Sequence, residues 1–420
     1  MLSTERYPVV IVGAGQAGLA LSHGLVRRGV RHLLLERHTL GYAWREQRWQ
    51  SFCLVTPNWQ CQLPGHPYTG DDPNGFMLRD QIVDYVLAYA ASFEAPVRER
   101  VNVQRIRECP RGGFSLETST GTLEADQVVL ANGPYHRPNI LPLSAALEGV
   151  LQLNALQYRK PEALPPGPVL VVGSGQSGCQ IAEDLHLAGR EVHLCLGSAP
   201  RVARRYRGQD VVAWLSQMGH YDLPIDQHPD GAAVRYKKNH YVTGRDGGRD
   251  IDLRKFAREG MQLHGRLLGV DAQGFTFGDD LEPNLDRADA TSERIKDSID
   301  AYIERERMEA PKEARYEPCW RPTGHAPRLA HTDARFGSVI WCSGFKMDYS
   351  FVELPAFDGG GYPLHTRGVV NAVPGMYFLG LPWLYTWGSG RFYGVGRDAL
   401  HLAELIDARL RAAGSRAKAS

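Results

Sequence analysis

A chain of 420 residues, 43% hydrophobic and 23% charged, can bury the cores of two or three domains, which excludes a disordered chain. Its 48 basic and 47 acidic residues leave a formal charge of +1, so no overall field draws in nucleic acid or an anionic membrane surface. No run approaches the roughly 20 apolar residues of a membrane span, and an apolar strand begins within a few residues of Met1, so a soluble, cytoplasmic protein without a secretory leader is expected.

The first elements form one βαβ unit. Residues 7–12 are apolar and β-branched, 13–18 turn, 19–28 carry helical periodicity and 31–36 make a second strand. The turn reads Gly13-Ala14-Gly15-Gln16-Ala17-Gly18, the context a phosphate-binding glycine turn requires. Gly13 permits the bend, Gly15 lets a pyrophosphate approach the backbone, and Gly18 allows the helix to pack on the strand. The helix N-terminus, with Gln16 and Ala17 in its first turn, then faces the phosphate charge. Glu36, followed by Arg37, ends the next strand where a carboxylate accepts from an adenosine ribose hydroxyl.

Residues 80–93 read as a helix, and 101–107, 113–118 and 121–124 as a small antiparallel meander. Residues 126–132 (DQVVLAN) are a separate strand expected to return to the first sheet. After the proline-rich segment 164–168 the opening pattern recurs: strand 168–172, turn Gly173-Ser174-Gly175-Gln176-Ser177-Gly178, helix 180–188 and strand 191–196. No acid ends this second strand, where Leu196-Gly197-Ser198 stands instead. Arg201, Arg204 and Arg205 follow and could pair with a 2′-phosphate, which favours NADPH over NADH; arginines solvating a loop are the alternative.

Residues 281–309 are charged with alternating sign and read as a solvated helix with no special chemistry. Residues 337–343 (GSVIWCS) look like the strand 126–132. These patterns predict an α/β fold of two Rossmann-like dinucleotide-binding domains, the second (161–329) inserted into a discontinuous first (1–160 and 330–412), with a frayed tail at 413–420. Two such sheets can present two cofactors face to face, as hydride transfer requires. The helix starting near Val395 could aim its N-terminus at a flavin pyrimidine; Asp398 in its first turn is more simply a cap. The seven cysteines, at 53, 61, 109, 179, 195, 319 and 342, include no C-x-x-C, which argues against a disulfide framework, a thiolate metal site or a thiol relay. His66 and His365 lack partners at metal-ligand spacing, so no metal is assigned.

Taken together, these motifs resemble the flavin-containing monooxygenase family, class B enzymes that use FAD and NADPH, over nearly the whole chain. Leu40-Gly41-Tyr42-Ala43-Trp44-Arg45 resembles the family's G-G-x-W-R stretch, which implies that Trp44 and Arg45 lie against FAD. The strand ends 130–134 and 341–345 resemble its A-T-G turns and imply cofactor contacts from Ala131, Gly133, Ser343 and Gly344; the stretch 375–380 implies another from Gly380. Residues 48–68 and 204–210 resemble a bacterial flavoprotein branch often encoded beside nitrilase-type genes. Of the signature F-x-G-x-x-x-H-x-x-x-F/Y, Gly149 and Tyr158 have counterparts, but Asn154 stands nearest the missing histidine. A Baeyer–Villiger enzyme, whose motif ends differently, is not matched.

The resemblance implies that NADPH reduces FAD, oxygen adds at flavin C4a, and one oxygen atom enters a small organic substrate in a site that excludes water. The partners are then a small molecule and molecular oxygen, and a homodimer is compatible. Asn58, after Thr56-Pro57, stands where the family's loop offers an amide to the oxygenated flavin, with Gln60 a nearby substitute; T-P-N is equally an ordinary turn sequence. Trp49, Trp59, Trp383, Tyr385 and Trp387 are candidate pocket walls or plain core. An FAD-dependent NAD(P)H oxidoreductase or oxidase without hydroxylation, and a redox-sensing flavoprotein without turnover, are the alternatives.

Overall fold

The computed structural model describes residues 4–324, 327–330 and 336–419. Each glycine turn closes a βαβ unit: β1 (Glu5–Val12), α1 (Gln16–Val26) and β2 (His32–Leu35) in the first case. Next come α2 (Arg79–Ser92), β3 (Val97–Arg98), β4 (Val103–Glu108), β5 (Phe114–Thr118) and β6 (Gly121–Leu130). The second unit follows β7 (Leu151–Asn154) and consists of β8 (Val169–Val172), α3 (Gln176–Leu187) and β9 (Val192–Cys195). Then come β10 (Gln262–His264), α4 (Leu281–Arg305), β11 (Ser338–Trp341), β12 (Met376–Phe378) and α5 (Val395–Ala419).

The first sheet runs β3-β2-β1-β6-β5-β4, with β12 also paired to β6, and the second runs β7-β11-β8-β9-β10. Every pairing in the second sheet is parallel, so both of its faces need cover, and its central strands β11, β8 and β9 are buried at every residue. Val169, Val171 and Leu194 pack under α3, while Leu170, Val172 and Cys195 pack on the opposite face. In the first sheet, likewise, Val9 and Ile11 lie against α1 and α5, and Val10 and Val12 against the other face.

Four expectations are corrected. The strands expected at 121–124 and 126–132 are one, β6: its first half lies between β1 and antiparallel β5, and its second half between β1 and parallel β12. β11, expected in the first domain, sits between β7 and β8 in the second sheet. The second sheet therefore takes strands from outside 161–329, because a fully buried parallel strand reads alike whichever sheet receives it. The helix α5 continues through Ala419 instead of fraying after residue 412, as the helix-forming Ala, Arg and Lys residues there allow; Ser420 lies outside the described residues.

The fourth correction concerns α4, which is more than a hydrated face. One stripe, including Leu285, Ala288, Ile299 and Ile303, is buried. From the same helix Asp289 receives Arg201 at 2.5 Å and Arg254 at 2.8 Å, and Asp286 receives Arg254 at 2.5 Å. Arg201 and Arg254 are only 3% and 1% exposed, so this carboxylate neutralises charge that water does not reach. Asp289→Ala should therefore cost about 3–5 kcal/mol of stability, read as a fall in the urea midpoint; a loss below ~1 kcal/mol, the worth of a surface pair, would contradict the assignment.

Candidate functional site

The two glycine turns have the same steric plan. A Cβ on Gly13, whose φ is +102°, would lie 2.7 Å from the carbonyl oxygen of Ala131, and one on Gly18 would lie 2.0 Å from that of Gly13. The counterparts are Gly173 (φ +109°), 2.6 Å from the carbonyl of Cys342, and Gly178, 1.8 Å from that of Gly173. These four positions serve the fold. Gly15 and Gly175 differ, since a Cβ at either meets nothing within 4 Å. Both are helix N-caps without any side-chain cap bond, so the first N–H groups of α1 and α3 face open space, which fits an anion at each.

Around the first turn the structure gathers most of the expected residues. Glu36 accepts from the backbone of Ala14 at 3.0 Å and of His38 at 2.9 Å. Ala131 follows β6 and donates to the carbonyl of Val12 at 2.8 Å, and Gly133 takes a φ of +75°. Gly380 packs on Ala17, where a Cβ would approach to 2.7 Å, and the Gln16 amide donates to the carbonyl of Gly390 at 3.3 Å. Trp44 stacks on Phe392, with centroids 5.7 Å apart, while Arg45 makes no ion pair among the described residues. Arg37 is exposed and donates to His38 at 3.1 Å.

At the second turn, Gln176 repeats the gesture of Gln16. Its amide donates to the carbonyl of Val242 at 2.6 Å and accepts from that residue's N–H at 3.2 Å. Ser177 is half-buried in the first turn of α3. Ser343 and Gly344 follow β11; the hydroxyl of Ser343 donates to the carbonyl of Asn139, and Asn139 donates to that of Gly344 at 2.9 Å. Where the first unit has Glu36, Gly197 donates to the hydroxyl of Ser174 at 3.0 Å.

Two of the three arginines expected at a 2′-phosphate are engaged within the chain. Arg201 ends on Asp289, and Arg204, 2% exposed, ends on Asp210 at 2.7 Å and on the carbonyl of Val55 at 2.8 Å. Both are internal fasteners, and only Arg205 remains exposed, 3.5 Å from the carbonyl of Gly247. Sequence reasoning missed the cation that does stand beside Ser198. The ammonium of Lys238 donates to that hydroxyl at 3.1 Å, whereas neighbouring Lys237 is paired with Asp230. No periodicity marks this loop lysine.

Asn58 is buried and its amide is already engaged, donating to the carbonyl of Asp72 at 2.9 Å and accepting from the N–H of Met77 at 2.7 Å. These two bonds pin a loop and leave one N–H and one carbonyl lone pair of the amide unused. Gln60, 2% exposed, has neither its donor nor its acceptor satisfied, an expensive condition for a buried amide. The aromatic group divides: Trp49 packs against Phe52 and Tyr158, Trp383 against His228, and Tyr385 under Arg367. Trp59 and Trp387 share one wall, joined through Tyr393 and Tyr221.

A family model described as pyridine nucleotide-disulphide oxidoreductase matches residues 10–243. The chain is 30% identical over 402 residues to an uncharacterised oxidoreductase, CzcO-like, of Geobacillus kaustophilus, covering 94% of this chain and 96% of that protein. It is 30% identical over 209 residues, 47% of each chain, to the probable indole-3-pyruvate monooxygenase YUCCA3 of Arabidopsis thaliana. Among solved structures, the flavin-containing monooxygenase of Stenotrophomonas maltophilia superposes with a TM-score of 0.67 at 19% identity, over 97% of this chain and 100% of that one.

The open glycines separate folding from binding. Gly15→Val should unfold within a few degrees of the natural protein yet retain no dinucleotide at the first turn, seen as a colourless preparation. A variant that keeps a flavin spectrum would contradict the steric reading.

Proposed function

Because the chain belongs to the pyridine nucleotide-disulphide oxidoreductase family, we propose that it is an FAD-dependent, NADPH-using monooxygenase that places one oxygen atom in a small organic substrate. The observation that carries this reading is the repeated cradle, open at Gly15 and Gly175, with Glu36 beside the first and Lys238 beside the second. A carboxylate suits an adenosine ribose and repels a 2′-phosphate, and an ammonium does the opposite. FAD belongs to the turn 13–18 with Trp44, Arg45 and Gly380 around it, and NADPH to the turn 173–178 with Ser343 and Gly344. FAD reduced by NADPH supplies the electrons that activate molecular oxygen.

The chain's own contribution is to hold, orient and exclude water. Gln16 and Gln176 tie each helix start to the segment that crosses it. Asn58 fixes the loop that carries Gln60, and the free amide of Gln60 offers one donor and one acceptor to the flavin site. Disulfide reduction, known in this family, fits poorly. All seven cysteines are unpaired, and burial pushes the thiols of Cys61 and Cys342 up to about 12, far from a reactive thiolate. The likeness to YUCCA3 and the Stenotrophomonas enzyme supports oxygen insertion instead.

One observation favours a second reading, an oxidase without hydroxylation. Asn154, nearest the missing histidine, is absorbed locally, donating to Gln157 at 2.7 Å and accepting from the N–H of Leu156 at 2.9 Å. Mixing the NADPH-reduced enzyme with oxygen in a stopped-flow spectrometer separates the two. A monooxygenase should pass through a species spectrally distinct from reduced and oxidised flavin, whereas direct return to the oxidised spectrum would contradict the proposal. For the nucleotide, Lys238→Gln should raise KM for NADPH by about tenfold, the scale of one charge-assisted bond, and leave KM for NADH unchanged. An equal effect on both would remove Lys238 from the 2′-phosphate.

A further inference from the structure

The deeply buried arginines of this chain close on carboxylates: Arg201 and Arg254 on Asp289, and Arg204 on Asp210. Arg391 does not. It leaves the short turn Trp387–Gly390 ahead of α5 and is half-buried. Its guanidinium carbon lies 3.7 Å from the centre of the Trp387 ring. It donates to the carbonyl of Trp387 at 2.5 Å and to Asn239 at 2.9 Å. Both acceptors are neutral, and among the described residues no carboxylate lies within 4 Å.

The surroundings are correspondingly unfavourable to a cation. Desolvation draws Arg391 below the usual arginine range, yet a guanidinium stays charged in a protein. A second arginine, Arg48, shares the situation: it is half-buried, donates only to the carbonyl of Gln47 at 2.7 Å, and is likewise disfavoured by burial. Tyr135 bears electrostatically on both. A guanidinium held only by neutral acceptors and a ring, as Arg391 is, calls for an anion from outside the chain. The cofactor diphosphates already have the N–H groups of α1 and α3.

What surrounds Arg391 indicates the rest of that anion. Trp387 packs on Tyr221 at 4.3 Å, Tyr221 meets Tyr393 at 6.1 Å, and Tyr393 meets the edge of Trp59 at 6.3 Å. Trp59 and Tyr393 are half-buried and keep open surface, while Trp387 is covered by Arg391 and Tyr221 and serves as the platform that holds the guanidinium. This wall runs from the loop of Gln60 to the start of α5, the region assigned above to the flavin. Resting on the monooxygenase reading, we propose that the substrate is a small aromatic carboxylic acid, its carboxylate anchored by Arg391 and its ring laid on the wall of Trp59 and Tyr393.

The test is a calorimetric titration of the oxidised, FAD-loaded enzyme with phenylacetate and with phenylacetamide, which share a ring and differ in charge. Phenylacetate should bind at least about tenfold more tightly, as one charge-assisted pair implies. Arg391→Gln should abolish that preference, and Arg391→Lys should restore part of it, with FAD content and NADP⁺ affinity unchanged. Equal binding of acid and amide, or a preference that survives Arg391→Gln, overturns the proposal. So does an Arg391→Gln enzyme that loses NADP⁺ or FAD and keeps the preference for the acid, which would assign the guanidinium to a diphosphate. No NADPH, oxygen or turnover enters this titration, so its failure is distinct from failure of the stopped-flow test.

Discussion

Two helices in this molecule begin on a glycine around which the space is open. At Gly15 and again at Gly175 the chain turns into a helix with no side chain bonded to its first N–H groups. An uncapped start forfeits about 1 kcal/mol relative to a good cap, and the surrounding glycines forbid a side chain from filling the gap. Gly13 and Gly18, like Gly173 and Gly178, bring backbone against backbone so tightly that a methyl group would not fit. The result is a rigid turn with its positive end exposed, made twice. The proposed cofactor assignments follow from that repetition.

The second requirement is that the two cradles keep a constant relation. Several buried polar contacts serve it. Asp184 on α3 accepts from Ser51 at 2.5 Å, from Tyr158 at 2.7 Å and from Arg245 at 2.7 Å, and Arg204 reaches across to the carbonyl of Val55. Arg391 reaches in the other direction, to Asn239. Removing one member would leave another buried polar group unpaired, which is why such networks hold geometry more than they add net stability. The loops carrying Gln60, Trp387 and Lys238 are held by this set of contacts.

Local features were legible in the sequence. The glycine turns announce themselves by spacing within six residues, and Glu36 by its distance from them, because a βαβ unit fixes where its second strand ends. Features decided by distant partners were not legible. Whether Arg201 is free depends on Asp289, a separation of 88 residues, so two of the three arginines that suggested a phosphate site are held by carboxylates of the chain itself. β11 and the second half of β6 have the same apolar pattern, and only packing assigns them to different sheets. Asn58 and Gln60 show the same limit within one loop: their residue types are interchangeable on paper, and the N–H of Met77 decides which amide stays free. Lys238 and Arg391 lie in irregular segments where no period or motif exists to mark them.

The most direct measurement is an anaerobic titration of the purified protein with NADPH, followed in the visible spectrum. The account predicts a yellow protein carrying one FAD per chain whose colour is bleached by about one equivalent of NADPH, consistent with two-electron transfer between facing rings. A chain that takes up no FAD, or one whose bound flavin NADPH does not reduce, would contradict it.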